Sequence, residues 1–248
     1  MSDNSGITEA ADILKQAENV VVFSGAGISA ESGVPTFRGK DGMWRNYRAE
    51  ELATPQAFKQ DPKRVWEWYE WRRGIIHNAE PNFAHLTIAE MEDHYREFTV
   101  ITQNVDGLHR RAGSRRIVKL HGNIWRARCE DEQISFDFFD VPLKSVPPRC
   151  RCGSILRPDV VWFGEPMPEK EVREAFELAA RCEVMLVVGT SALVQPAANL
   201  PYAAKRNGAH IIELNLSNTP VSAISHVSLF GKVGVILPRL WAEVKKEK

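Results

Sequence analysis

Cysteine is scarce in this chain. Cys129, Cys150, Cys152 and Cys182 are the four among 248 residues, too few and too unevenly placed to staple a chain of this length, which excludes a disulfide-built scaffold. Charge imbalance is missing as well. Lys plus Arg and Asp plus Glu both number 32, so no net field would draw the chain to nucleic acid or an anionic membrane, and no direct nucleic-acid partner is expected. No apolar run approaches the roughly 20 residues that span a bilayer. The opening Met1-Ser2-Asp3-Asn4-Ser5-Gly6 has neither the basic region nor the apolar core of a secretory signal. The chain therefore reads as cytoplasmic, outside the membrane and compatible with a monomer. Internal repeats and low-complexity tracts are absent too.

What remains is the composition of a globular chain, 44% hydrophobic and 26% charged. Ile7, Ala11 and Leu14 share a helical face, and Val20-Val21-Val22-Phe23 then reads as a buried strand. Strand patterns return at 98–102, 117–120, 184–188 and 211–214, with helical stretches over about 85–95 and 197–207. This alternation predicts an α/β fold with a Rossmann-like, doubly wound parallel sheet. A single domain is expected, its larger part formed by residues 1–35, 83–121 and 160–248. Residues 36–82 are aromatic and charged, with a helix over about 62–76, and read as a helical insert. Between 122 and 159 the pattern lapses into Cys, Pro, Asp and Arg, which predicts a second, smaller insert.

The first strand runs into Ser24-Gly25-Ala26-Gly27-Ile28-Ser29-Ala30, where small residues allow a tight turn and a close approach of ligand to backbone. Gly25, Gly27 and Ala30 match the start of a dinucleotide fingerprint, and N–H groups at the following helix start suit a pyrophosphate. A purely structural strand-to-helix turn fits the same residues. The acidic residue that should follow roughly 20 positions later, after a second strand, is missing. Tyr47-Arg48-Ala49-Glu50-Glu51-Leu52 has no strand before it, which argues against an ordinary nicotinamide dehydrogenase.

Five ordered blocks carry a closer likeness. They are Gly25-Ala26-Gly27-Ile28-Ser29 with Gly33-Val34-Pro35-Thr36-Phe37-Arg38-Gly39, then Thr102-Gln103-Asn104-Val105-Asp106-Gly107-Leu108-His109, Leu120-His121-Gly122, Gly189-Thr190-Ser191 and Leu214-Asn215. In identity, order and approximate spacing they resemble the motifs of the sirtuins, over nearly the whole chain. The resemblance implies an NAD-dependent protein deacylase, in which NAD loses nicotinamide, the acyl oxygen of a modified lysine attacks C1′ of the ribose, and the acyl group ends on ADP-ribose. That step needs a base for a ribose hydroxyl, and a neutral imidazole with a pKa near 6.5 suits it. His121 is the expected base, at a strand end where open sheets place ligands. His85, His94 and His109 fall in helical or loop patterns, and His77, His210 and His226 lie outside every motif.

By the same residue-by-residue likeness, Asn104 and Asp106 are expected at the ribose and the nicotinamide amide, with Gln103 against the ribose. Asn-Val-Asp-Gly is also simply a good turn sequence. Gly25, Ala26 and Gly27 are expected along the cofactor, and Gly189, Thr190, Ser191 and Asn215 at its adenosine half. Val233 falls where the family closes over the adenine, and Phe37 and Arg38 fall on the loop that covers the cofactor. Val160-Val161-Trp162-Phe163-Gly164-Glu165 resembles the family's peptide-binding segment. Val161 and Phe163 would meet an acyl-lysine peptide added as an extra strand, although Phe163 also reads as a core aromatic.

Within Trp68-Tyr69-Glu70-Trp71-Arg72-Arg73, Tyr69 and Arg72 share a helix face. A guanidinium binds a carboxylate through two parallel bonds and a phenol can add a third donor. The pair resembles the sirtuin subgroup that removes succinyl, malonyl or glutaryl groups. Leu52-Ala53-Thr54-Pro55 agrees with that subgroup, and Ala49 leaves room for a longer acyl chain. The plain alternative is an amphipathic face of Trp66, Tyr69 and Arg73 with Arg72 solvated. Sirtuins usually hold a structural zinc with two cysteine pairs. Here Cys129 is followed by Glu132 where a partner Cys is expected, and Cys150-Arg151-Cys152 is a tighter pair. Three thiolates plus Glu132 holding zinc in a zinc-ribbon-like module, and a module without metal, both stay open, while Cys182 reads as an ordinary thiol. Two rival functions remain. An NAD glycohydrolase or mono-ADP-ribosyltransferase is opposed by the 160–165 segment, and a non-catalytic NAD sensor by the joint presence of His121, Asn104 and Asp106.

Overall fold

The computed structural model describes residues 4–36 and 48–246, so the expectations for Phe37 and Arg38 lie outside the described residues. The chain begins with α1 (Asn4–Gln16), β1 (Asn19–Ser24) and the single turn α2 (Gly27–Ala30). Four helices follow: α3 (Ala49–Leu52), α4 (Pro55–Gln60), α5 (Pro62–Asn78) and α6 (Phe83–Met91). Next come β2 (Glu97–Thr102), α7 (Leu108–Arg111), β3 (Ile117–Lys119), β4 (Gly122–Cys129), β5 (Ile134–Asp137) and β6 (Arg157–Val160). The chain closes with α8 (Glu169–Arg181), β7 (Val184–Val188), α9 (Leu200–Arg206), β8 (His210–Asn215), β9 (Val227–Phe230) and α10 (Val233–Val244).

The expected doubly wound sheet is present. Six parallel strands run in the order β3-β2-β1-β7-β8-β9. Successive side chains of a strand point to opposite faces, and here both faces are covered, which is why these strands read as unbroken apolar runs. Val20 and Val22 of β1 join Leu14, Ile88 and Leu237 on one face, while Val21 and Phe23 join Leu178, Ala179 and Leu200 on the other. Strand order reverses between β1 and β7. That makes a crevice at the carboxyl ends of the strands, where open α/β sheets bind ligands.

The stretch between β3 and α8 holds a three-stranded antiparallel sheet in the order β5-β4-β6. Sequence periodicity missed β4 for a physical reason. Its pairing with β6 shifts register between Gly122 and Ala127, so the buried positions are Ile124, Ala127 and Cys129 rather than every second residue. The sixth strand of the large sheet, β9, was also missed, being four residues long. Helix α5 packs on the small sheet and shares one core with it. Its register is set by polar bonds as well as apolar contact. Trp66 Nε1 donates to Leu156 O at 2.6 Å, and the buried Arg73 guanidinium donates to the carbonyls of Ile124, Phe138 and Asp140.

Candidate active site

The turns after β1 and β7 interlock. Gly25 N donates to Val188 O at 3.0 Å and Gly27 N to Gly189 O at 2.8 Å. A Cβ at Gly27 would sit 2.7 Å from Gly189 O, so glycine is required by the closeness of the two backbones. Thr190 is pinned from both sides of the crevice: its hydroxyl accepts from Gln103 Nε2 at 2.9 Å and its carbonyl from Asn215 Nδ2 at 2.7 Å. Residues from the ends of β1, β2, β7 and β8 thereby form one continuous polar floor. Ser191 is exposed at its edge. Val233 opens α10 with its side chain buried in the sheet core, which leaves its backbone for any ligand. Gly234 N, next along, donates to Glu31 Oε1 at 2.8 Å and ties α10 to the first turn.

Asn104 and Asp106 leave β2 and turn back under that floor. Asn104 Nδ2 donates to Gly25 O at 3.1 Å and to Ser29 Oγ at 3.2 Å. The Asp106 carboxylate accepts from Ser29 Oγ and from Leu108 N, both at 2.8 Å. Burial drives the Asp106 pKa up, and those two donors oppose the shift. Behind them lie His85 and His109, with ring centroids 5.0 Å apart. His85 meets Ser29 at 3.4 Å and His109 meets Ser24 at 2.9 Å. Burial lowers His85 to about 4 and His109 to about 3, so both are neutral at physiological pH and serve as hydrogen-bond partners.

His121 follows β3, half-buried, on the same side of the crevice. Its Nδ1 lies 3.0 Å from Gln103 O. A carbonyl only accepts, so Nδ1 carries the proton and the lone pair is left on Nε2. Burial lowers the His121 pKa from the usual 6.5, and the Gln103 bond works in the opposite direction. Gly122 holds φ +81°, and a Cβ there would lie 2.3 Å from Asp159 O, so the chain after His121 presses directly on the 160s segment. Val161 N donates to His121 O at 3.0 Å, and Phe163 N to Ala53 O at 2.9 Å. Phe163 is 43% exposed, which overturns its reading as a core aromatic; the buried neighbour is Trp162.

Helix α5 brings Tyr69 and Arg72 to this segment from the other side. Both are buried, at 3% and 4% exposure, so the alternative of a solvated Arg72 is also overturned. The Arg72 guanidinium lies 5.4 Å from the Trp68 ring centre. Burial lowers its pKa, and the favourable fields that oppose this come from Tyr69 and Asp106. The Tyr69 oxygen accepts from Trp162 Nε1 at 2.8 Å, and burial pushes the phenol pKa up. Ala49 is buried in α3.

At the far end of the small sheet the side chains of Cys129, Glu132, Cys150 and Cys152 converge, their ligand atoms all within 4.8 Å of one another. Cys129 and Cys152 sulfurs are 3.6 Å apart, and Cys150 Sγ is 2.9 Å from Glu132 Oε2. Cys182 is elsewhere, buried under α8 with its thiol pushed up to about 12.

A family model described as Sir2 family matches residues 25–196. This chain belongs to the Sir2 family. Among relatives, the NAD-dependent protein deacylase 2 of Pyrobaculum aerophilum is 55% identical over 237 residues, covering 95% of each chain. Among solved structures, a mutant Sir2 homologue in complex with 2′-O-acetyl ADP ribose superposes with TM-score 0.91 at 47% identity, covering 98% of this chain and 96% of that one. A Sir2–p53 peptide–NAD+ structure superposes with TM-score 0.86 at 34% identity, covering 95% and 97%.

For a Sir2 chain the four-residue cluster has the right donors for zinc. Four ligands at tetrahedral corners with Zn–S near 2.3 Å put sulfurs about 3.8 Å apart, close to the 3.6 Å between Cys129 and Cys152. Glu132 takes the place of the fourth thiolate. Sequence reading missed Ser24, Ser29, His85 and Trp162 as neighbours of the site. Ser24, Ser29 and Trp162 stood inside blocks already singled out, but nothing in spacing shows which side chains turn inward. His85 gave no signal at all, since α6 meets the first turn only in the folded chain.

Proposed function

We propose that this chain removes acyl groups from protein lysines at the expense of NAD, with His121 as general base and a preference for acidic acyl groups. The carrying observation is the His121 ring: its proton is held on Nδ1 by Gln103 O, which leaves Nε2 as a ready base at the carboxyl ends of the sheet. NAD supplies the ribose electrophile and the leaving nicotinamide. The Gly25-Ala26-Gly27 turn borders the phosphates, its Gly25 and Gly27 N–H groups being committed to Val188 O and Gly189 O, and Thr190, Ser191 and Asn215 hold the adenosine half. Asn104 and Asp106, braced by Ser29, orient the nicotinamide ribose, and Gln103 lies beside it. Val233 closes the adenine end.

The peptide adds as a strand along Val161 and Phe163, whose exposed ring borders the approach, so its backbone supplies most of the bonding. Its acyl-lysine then points between His121 and α5. Arg72 and Tyr69 meet the carboxylate of a succinyl or malonyl group there. Zinc, held by Cys129, Glu132, Cys150 and Cys152, would fasten the small sheet without touching the reaction.

The test incubates the protein with NAD and either acetyl- or succinyl-lysine peptide and reads products by mass. O-acyl-ADP-ribose is expected, whereas free or protein-linked ADP-ribose would make the chain a glycohydrolase or transferase, and no product a sensor. A hydrogen bond to a charged group contributes about 1.5–3 kcal/mol, roughly 10- to 150-fold. Arg72→Met should weaken succinyl-lysine turnover by that order while acetyl-lysine turnover changes little. Equal losses on both substrates would remove the acidic-acyl reading.

A further inference from the structure

We propose that Trp162 is a positioning residue for acyl selectivity: its indole N–H turns the Tyr69 hydroxyl into a donor aimed away from Trp162. The inference rests on the acyl-recognition reading of Tyr69 and Arg72.

The chemistry follows from what each group can do. An indole N–H donates and never accepts, whereas a phenol does both. With Trp162 Nε1 2.8 Å from the Tyr69 oxygen, that oxygen must accept, and its own proton cannot point back at the indole. Among the described residues no acceptor takes that proton. The phenol is 3% exposed, so rotation toward water is closed to it. Arg72 follows about one turn along α5, on the same helix face as Tyr69. One cation and one oriented O–H donor thus share a helix face, a pairing that suits a carboxylate and offers little to an acetyl methyl.

Trp162 is itself immobilised. The Arg157 guanidinium stacks on its ring at 3.6 Å from the centre. Glu165 closes the arrangement: both its oxygens accept from Arg157 at 2.9 Å, and one also accepts from Trp162 N at 2.9 Å. Phe58 packs against the indole with ring centres 5.1 Å apart. A side chain held on its backbone, its ring face and its ring edge has little freedom left, so its one N–H points to one place.

The measured quantity is the ratio of kcat/KM for succinyl-lysine to that for acetyl-lysine peptide. Trp162→Phe keeps a ring for Arg157 and Phe58 and deletes the donor. It should lower the ratio about 2- to 10-fold, the size of one neutral hydrogen bond, through KM rather than kcat. Tyr69→Phe should lower it at least as much, and adding Trp162→Phe to Tyr69→Phe should lower it no further. Trp162→benzothienylalanine, which keeps the bicyclic shape and puts sulfur in place of N–H, gives the same readout if the smaller ring disturbs folding. An unchanged ratio in both Trp162 variants, or a further fall in the double variant, would overturn the proposal while Tyr69→Phe and Arg72→Met still lower the ratio. If those two leave the ratio intact, the acyl-recognition reading fails, and this inference with it.

Discussion

His121 is where composition and motif could name a residue but not its state. Its block singled it out among seven histidines as the expected base; the 3.0 Å contact with Gln103 O decides which nitrogen keeps the lone pair. Because burial lowers its pKa, the neutral form is already populated below pH 6.5, the ordinary value for this group. The profile of kcat/KM against pH reports the free enzyme. Its acid limb should therefore fall below pH 6.5, with activity rising as pH rises through the limb and then levelling. His121→Ala should lower turnover roughly 100- to 10,000-fold and abolish that limb. A limb above pH 6.5, or one that survives the substitution, would assign the proton to another group. Arg72 and Arg73 make the same point about legibility. They are adjacent in sequence, yet Arg73 is consumed by three backbone carbonyls while Arg72 is buried over the Trp68 ring.

Among elements, the apolar strands β1, β7 and β8 were legible because both sheet faces are covered and most of their residues are buried. Strand β4 was not, because a register shift replaces alternation with irregular burial. The interlocked turns after β1 and β7 lie between these cases. Small residues were evident in sequence, but only the fold shows Gly27 pressed on Gly189. Gly27→Ala would place a methyl group 2.7 Å from Gly189 O. Overpacking of this kind costs about 1–3 kcal/mol, and the displaced backbone is the one proposed to face phosphate. Both the unfolding temperature and NAD affinity should drop, measured by calorimetry and by titration. Unchanged affinity in a folded variant would move the phosphate contacts away from this turn.

At the level of the whole molecule, two bodies of different construction meet at the site. The parallel sheet is held by its own two-sided core, whereas the small antiparallel sheet is covered on one side by α5 and ends in the Cys129, Glu132, Cys150 and Cys152 cluster. Protein purified without added metal should carry one zinc per chain by elemental analysis. Stripping it with a strong chelator, or making Cys150→Ser, should lower the unfolding temperature, since a metal bound by the folded state alone stabilises it. Thiols must lose their protons to bind as thiolates, so the stabilisation should weaken as pH falls. A metal-free protein of equal stability would mark the cluster as a hydrogen-bonded remnant.

Residue order alone was enough for the fold class and the family, and it put His121 forward as the candidate base, because apolar period and ordered motifs are local properties that survive in one dimension. Three-dimensional packing was needed for everything that depends on partners far apart in the chain. The tautomer of His121, the burial of Arg72, the convergence of Glu132 with three cysteines and the bond from Trp162 to Tyr69, 93 residues away, are all of that kind. Hydrogen bonds and burial are set by what surrounds a side chain, and no spacing rule records the surroundings.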